Sequence, residues 1–326
     1  MQSVFKIFQT LQSQSTSKND CYNIASLPSV KFHKLGISPS GEPMFFIKCD
    51  DIGKTKSLDS NLEFISVQFN RECQLLSGKR KAEEGIYTVI SLKSDSIDLQ
   101  EYFIEVVFLI VRRLSAKPRL KELKVEVERL INLFSKFSSP ATKTIQGIWA
   151  ELLVIERSRD PDYMVRAWHK RGMDKFDFND GVDKVEVKST GNSRRIHSFS
   201  MEQLLPNKNS GLVVVSIFAV ETGVGKSVFD LMDSIGRKLV DKSLLFRINE
   251  VVAETLGRDF ERTFEVFFDY QMGVDSLAFY DGLSIPNIDV GLIGAGVMNV
   301  RFDSDLTGVV GIGRYRGKSV LHGAMI

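Results

Sequence analysis

The run Lys184-Val185-Glu186-Val187-Lys188-Ser189-Thr190 places an acid and an amine on one side of a strand-like stretch and two valines on the other. Upstream, in Lys175-Phe176-Asp177-Phe178-Asn179-Asp180-Gly181, stands a second acid, Asp177. Asp180-Gly181 is a hairpin-turn signal, because glycine takes positive φ without a Cβ clash. Folding the chain there lays the Asp177 strand beside the Glu186 strand, so Asp177, Glu186 and Lys188 converge. Two carboxylates and an amine so placed suit a hard cation and a phosphate. Magnesium takes oxygen ligands, keeps several waters, and uses one or two protein carboxylates together with substrate phosphate. Without a cation the two acids repel, and an apparent pKa rises. The plainer alternative is that Glu186 and Lys188 form an exposed surface pair, worth at most ~1 kcal/mol.

Elements on either side must position these groups. The helix expected over 141–157 contains Ile148-Trp149-Ala150-Glu151-Leu152-Leu153-Val154-Ile155, apolar on nearly every side and therefore buried. Glu151 is the lone charge among those eight positions. A buried carboxylate needs either a Lys or Arg partner from another element or a bound cation, and the sequence leaves both open. Glu156 also falls near the apolar side. Residues 164–169 read as a strand, with Trp168 in the core. His169 and His197 read as packing or phosphate-contact residues rather than bases. Gly191-Asn192-Ser193-Arg194-Arg195 is a basic loop, either solvated or touching a DNA backbone, since Arg binds phosphate bidentately. A short helix begins at Ser200, capped by it or by Ser198, and carries Gln203. Residues 211–220 form a β-branched run suited to a strand buried on both faces. The order helix, three strands, helix, strand predicts an α/β (α+β) core over 140–220.

Around that core the sequence predicts a β-rich domain over 1–99, a helical connector over 100–139 and a helical then β-rich extension over 221–326. In the extension, helices are expected over 228–240 and 244–256, and strands over 264–270, 276–280 and 290–302. Lys79-Arg80-Lys81 reads as a solvated turn and Arg314-Tyr315-Arg316-Gly317-Lys318 as an exposed basic tail. Gly223-Val224-Gly225-Lys226-Ser227 resembles a phosphate loop, but Val220 stands where its first glycine belongs, so a turn is the expectation. Gly291 to Gly296 has the wrong spacing for a dinucleotide loop. With 326 residues, 43% hydrophobic and 26% charged, the chain has material for a sizeable core. A net charge of +2 neither marks nor excludes a nucleic-acid partner, because a basic patch can sit within a balanced total. Three scattered cysteines lack zinc spacing and fit a reducing interior. The absence of a long apolar segment argues against a membrane and for the cytoplasm.

Asp177 followed across a hairpin by Glu186-Val187-Lys188, with Glu151 on the helix before it, resembles the PD-(D/E)XK nuclease superfamily. Ala150-Glu151-Leu152-Leu153, Phe176-Asp177-Phe178, Glu186-Val187-Lys188-Ser189-Thr190 and Glu202-Gln203-Leu204 look closer still to its bacterial "PD-(D/E)XK motif protein" branch, found among phage-defence and restriction-like gene clusters. The resemblance implies a restriction-endonuclease-like fold and Mg²⁺-dependent hydrolysis of DNA phosphodiesters, with Mn²⁺ as a substitute. It implies that Asp177 and Glu186 hold the metal, with the Val187 carbonyl as a further ligand and Glu151 joining directly or through water. Lys188 would orient or deprotonate the attacking water and stabilise phosphorane charge, and Gln203 would assist. Arg194, Arg195 and His197 are the candidate nucleic-acid contacts. Expected partners are DNA, other proteins of a defence system and a second copy of the chain; a nuclease fold kept only as a binding scaffold is the alternative.

Overall fold

Alternation of apolar and polar residues over Ile65–Leu76 produces the longest strand among the described residues, with Ile65, Val67, Cys73 and Leu75 turned inward. The computed structural model describes residues 3–14, 21–50, 58–78, 82–169, 175–205, 209–313 and 317–325. The polar stretch 15–20, the basic run Lys79-Arg80-Lys81 and Arg314-Tyr315-Arg316 lie outside the described residues. The chain divides into two units, Met1–Ser139 and Pro140–Ile326. Among the described residues no helix is long and apolar enough to cross a membrane.

The first unit opens with helix α1 (Val4–Gln14). Strands β1 (Tyr22–Leu27), β2 (Val30–Ile37), β3 (Pro43–Ile47), β4 (Ser60–Asn61), β5 (Ile65–Leu76) and β6 (Glu83–Leu92) follow. They form one sheet in the order β1-β2-β3-β6-β5-β4, and β1 also pairs in parallel with β5, which closes the sheet on itself. Ile24, Met44, Phe46, Leu75, Tyr87 and Val89 pack together as one apolar cluster of this sheet. Helices α2 (Ile97–Val111) and α3 (Leu120–Ser135) belong to the same unit as these strands. Ser96 caps α2 by accepting the Leu99 N–H at 3.3 Å.

The second unit begins with α4 (Ile145–Arg157), whose Thr144 cap accepts the Gly147 N–H at 3.1 Å. Next comes α5 (Pro161–Ala167), where the sequence suggested a strand. The correction has a local cause. Asp160 accepts the Tyr163 N–H at 2.9 Å, and Pro161 sits in the first helical turn, where its missing N–H is harmless. Strands β7 (Phe178–Asn179), β8 (Lys184–Thr190) and β9 (Ile196–Ser200) follow, then a 3-10 turn over Met201–Leu204 and β10 (Leu212–Phe218). After β11 (Glu221–Thr222) come α6 (Val228–Lys238), α7 (Leu244–Leu256), β12 (Phe267–Phe268), α8 (Tyr270–Asp275), β13 (Ala278–Asp281), β14 (Arg301–Asp305) and α9 (Leu321–Met325).

The main sheet of this unit runs β13-β10-β8-β7. β8 lies parallel to β10, with Glu186 opposite Val214 and Val187 opposite Val215. β7 and β8 make the expected hairpin, with Phe178 opposite Val185 and Gly181 at φ +99° in the turn. Two details of the predicted core need correction. Between the basic loop and Ser200 a strand forms that the sequence did not announce, β9, which pairs with β14, and the helix expected from Ser200 is a single 3-10 turn. Because β13 pairs with β10 and β14 with β9, the C-terminal segment completes the second unit instead of extending from it. The long strand expected over 290–302 is also absent: Val290–Leu292 is a 3-10 turn, and Gly296 and Asn299 take φ +85° and +56°, which breaks an extended run. The strand expected over 264–270 shrinks to β12, because Asp269 caps α8 by accepting the Met272 N–H at 2.9 Å.

Candidate active site

α4 is buried from Ile148 to Glu156 and packs against β8 and α6. That burial carries Glu151, 2% exposed, into the interior beside the β7–β8 hairpin. The loop ahead of the helix is fastened to the end of α7: the Thr142 and Lys143 N–H groups donate to the Thr255 carbonyl at 2.9 and 3.4 Å. This places Lys143 over Glu151. At the other end, α5 stops at Trp168-His169. Arg247 Nη2 donates to both carbonyls of that corner, and the His169 N–H donates to the Asp177 carbonyl at 3.0 Å. His169 is thereby held at φ +40°, a left-handed conformation that a non-glycine residue keeps only when its surroundings enforce it.

The side chains converge. Lys143 Nζ donates to Glu151 Oε1 at 2.5 Å and to Asp177 Oδ1, and lies 3.4 Å from His169 Nε2. Glu151 Oε2 accepts from Trp168 Nε1 at 2.7 Å and lies 2.8 Å from His169 Nε2. Asp177 Oδ2 accepts the Val187 N–H at 2.7 Å, which ties the first acid to the strand bearing the second. One ligand atom each from Glu151, His169 and Asp177 lies within 4.8 Å of the others. Glu186 stands on the same side as Lys188, as the alternation of β8 required. Its Oε1 accepts from Lys188 Nζ at 2.9 Å and from Gln203 Nε2, while Lys188 Nζ donates to Gln203 Oε1 at 3.2 Å. Lys188 also lies 4.9 Å above the Phe199 ring. Glu186 is 2% exposed, so the exposed-surface-pair alternative does not hold.

The electrostatics separate the two glutamates. Burial would raise Glu151, but the Lys143 ammonium and His169 outweigh it and hold the carboxyl down at about 2. Burial and the nearby Asp177 charge push Glu186 up to about 8, and Lys188 and Lys143 only partly offset them. Burial opposes the charge on Lys143, yet Asp177, Glu151 and Glu186 together raise its pKa and keep it an ammonium. Glu186 Oε2 is buried and takes no hydrogen bond among the described residues. A buried carboxylate oxygen left unpaired is costly unless the group is neutral or faces a cation.

This donor set fits a hard divalent ion. Asp177 and Glu186 supply the one or two carboxylates magnesium uses, Glu151 lies beside Asp177, and the orphaned Glu186 oxygen is the kind of atom such an ion satisfies. His169 Nε2 lies against Glu151, where it orients that carboxylate. The Val187 amide acts on Asp177 rather than standing apart from the acids.

The candidate nucleic-acid contacts are placed elsewhere. Arg195 Nη1 donates to Ser216 O and Oγ at 2.9 and 2.8 Å, its Nη2 to Ser276 O at 2.6 Å, and its guanidinium lies 4.4 Å over Phe218. Arg194 is paired with Asp305. His197 is 3% exposed, 2.7 Å from Ser216 Oγ, and held down to about 4 by burial and by Lys188 and Arg195. Arg195 and His197 are therefore internal fasteners of β9 against β10, and neither presents itself to a phosphate. Gly225 approaches the Phe268 carbonyl and Ser227 caps α6, as expected of a turn rather than a phosphate loop.

Two residues of the cluster escaped sequence reasoning. His169 was weighed only for packing or phosphate contact, and Lys143 was not singled out. A signal for Lys143 existed: a cation directly before a helix N-cap opposes the helix dipole and needs an acidic partner.

Helix, hairpin and clustered acids define a mixed α+β protein with a buried Glu151–His169–Asp177 cluster. A family model described as "Putative PD-(D/E)XK family member, (DUF4420)" matches residues 5–307, and the chain belongs to this family. No curated protein and no solved structure matches it.

Proposed function

We propose that the protein is a metal-dependent nuclease with a restriction-endonuclease-like core, hydrolysing phosphodiester bonds of DNA. The observation that carries this reading is the gathering of Glu151, His169 and Asp177 within 4.8 Å of one another, with Glu186 close enough to feel the Asp177 charge and its Oε2 without a hydrogen-bond partner among the described residues. Asp177 and Glu186 would hold Mg²⁺ or Mn²⁺, with Glu151 joining them. A bound ion would supply Lewis acidity toward a phosphate oxygen and hydroxide near neutral pH. Lys188, anchored between Glu186 and Gln203, is positioned to orient a water and to face the charge that grows on phosphorus. Val187 fixes Asp177 through its N–H, and Trp168 and His169 fix Glu151. The resemblance of Asp177 and Glu186-Val187-Lys188 to the phage-defence branch favours work within a bacterial anti-phage or restriction-like system, in the cytoplasm and alongside other proteins of that system; a second copy of the chain is a further expected partner.

A second reading has its own support. The Lys143 ammonium already neutralises Glu151 and Asp177, as in a nuclease fold kept for binding alone. Incubation of the full chain with Mg²⁺ or Mn²⁺ on plasmid, single-stranded DNA and RNA separates the two. Cleavage by wild type and none by Asp177→Ala supports hydrolysis; equal products from both, or none from either, contradicts it.

A further inference from the structure

Lys143 takes no part in the hydrolytic roles described above, yet its Nζ lies at the centre of the acidic cluster. It contacts Glu151 Oε1 and Asp177 Oδ1 and lies 3.4 Å from His169 Nε2. These residues supply the ligand atoms that gather within 4.8 Å of one another. We infer that Lys143 is a displaceable resident cation of the site: its ammonium sits on the oxygens a divalent ion requires, and the ion enters as Lys143 swings out. This rests on the metal-dependent reading of the site.

Sharing the point is excluded by geometry and charge. A magnesium ion binds carboxylate oxygens at roughly 2.0–2.1 Å, so its place and that of an ammonium bonded to the same oxygens overlap. Exit is available. The Lys143 side chain is 30% exposed, while Glu151 and Asp177 are 2% and 6% exposed. Its stem is flexible, and the backbone stays fastened to Thr255 O, so the side chain can leave without moving α4. The lysine also answers a charge problem, since three buried carboxylates without a counter-ion would repel one another. Helix α4 does not account for it, because a cation beside the N-cap opposes the dipole.

A purely structural counter-ion and a competitor differ in sign. Removing the former loosens the site and leaves metal affinity unchanged or weaker. Removing the latter frees the ligands, because apparent affinity is the intrinsic affinity multiplied by the fraction of molecules whose site is open. Calorimetric titration of the full chain with MnCl₂ is expected to give binding at least about tenfold tighter for Lys143→Met than for wild type. Equal or weaker binding by the folded variant overturns the proposal.

A second measurement uses wild type alone, should Lys143→Met not fold. Acetic anhydride labelling read by mass spectrometry should modify Lys143 poorly without metal and several-fold more at saturating Mn²⁺. Unchanged labelling with Mn²⁺ bound overturns the proposal. Absence of Mn²⁺ uptake by either protein at millimolar levels removes the metal-dependent reading and this one together, whereas equal measurable affinities overturn this one alone.

Discussion

Trp168 Nε1 donates a hydrogen bond to Glu151 Oε2 at 2.7 Å, although both side chains are buried and come from different helical segments. The indole thus does more than fill space. It satisfies one lone pair of a carboxylate that has no access to water. Trp168→Phe keeps most of the volume and removes the donor, and a bond to a buried charge contributes about 1.5–3 kcal/mol. Equilibrium urea denaturation should show a loss in that range; an unchanged midpoint would mean that Lys143 and His169 suffice for Glu151.

Gln203 joins two jobs. Its Oε1 accepts the Ser200 N–H at 3.0 Å to cap the 3-10 turn, and its Nε2 reaches Glu186 Oε1. Partners that orient a metal-binding carboxylate typically change affinity or activity by roughly 10–100-fold when removed. Gln203→Ala should lower Mn²⁺ affinity and cleavage in that range, while the lost cap costs about 1 kcal/mol of stability. Parallel metal titration and denaturation measure the two. A stability loss without any change in metal affinity would confine Gln203 to capping.

Glu186 makes stability fall as pH rises. Its carboxyl, ordinarily 4.5, is pushed up to about 8 in the fold. A group that holds its proton more tightly when folded contributes stability fully below its unfolded pKa and loses it as pH passes through the folded value. The metal-free protein should therefore lose stability between about pH 5 and pH 8, and Glu186→Gln should remove that part of the slope. Glu151 has the opposite sign: held at about 2, it contributes above 4.5 and is lost in strong acid. Urea midpoints across pH for wild type and Glu186→Gln decide the matter; superimposable slopes would show Glu186 ionised throughout.

Arg195 is a structural residue, so Arg195→Ala should destabilise by on the order of 2–3 kcal/mol through its lost bonds to Ser216 and Ser276. DNA binding by the folded variant should keep its salt dependence. A slope of log affinity against log salt reduced by about one would instead restore Arg195 as a phosphate contact.

What the sequence made legible follows from local physics. The alternation of Lys184 to Thr190 put Glu186 and Lys188 on one side, Asp180-Gly181 announced the hairpin, and an all-round apolar helix announced that Glu151 is buried. Those signals lie within a few residues of the groups they position. Pairings set by distant chain were not legible: β9 takes β14 as its neighbour, and only the folded C-terminal segment shows it. The fate of Arg195 and His197 depended on another distant packing, because Ser216 comes from β10. Residues 164–169 misled because their β-branched and aromatic character outshone the quieter Asp160-Pro161 helix start. Lys143 was missed because its partners come from α4 and the hairpin, which meet only in three dimensions.

The account centres on one cation held by acids from α4 and the β7–β8 hairpin. Anomalous scattering from crystals grown or soaked with Mn²⁺ tests it most directly. The expected result is a Mn²⁺ peak bonded to carboxylate oxygens of Asp177 and Glu186, with Glu151 beside it and the Lys143 amine turned away. Mn²⁺ bound only elsewhere, or a saturating soak that leaves Lys143 seated on Glu151 and Asp177 with no peak between them, would contradict it.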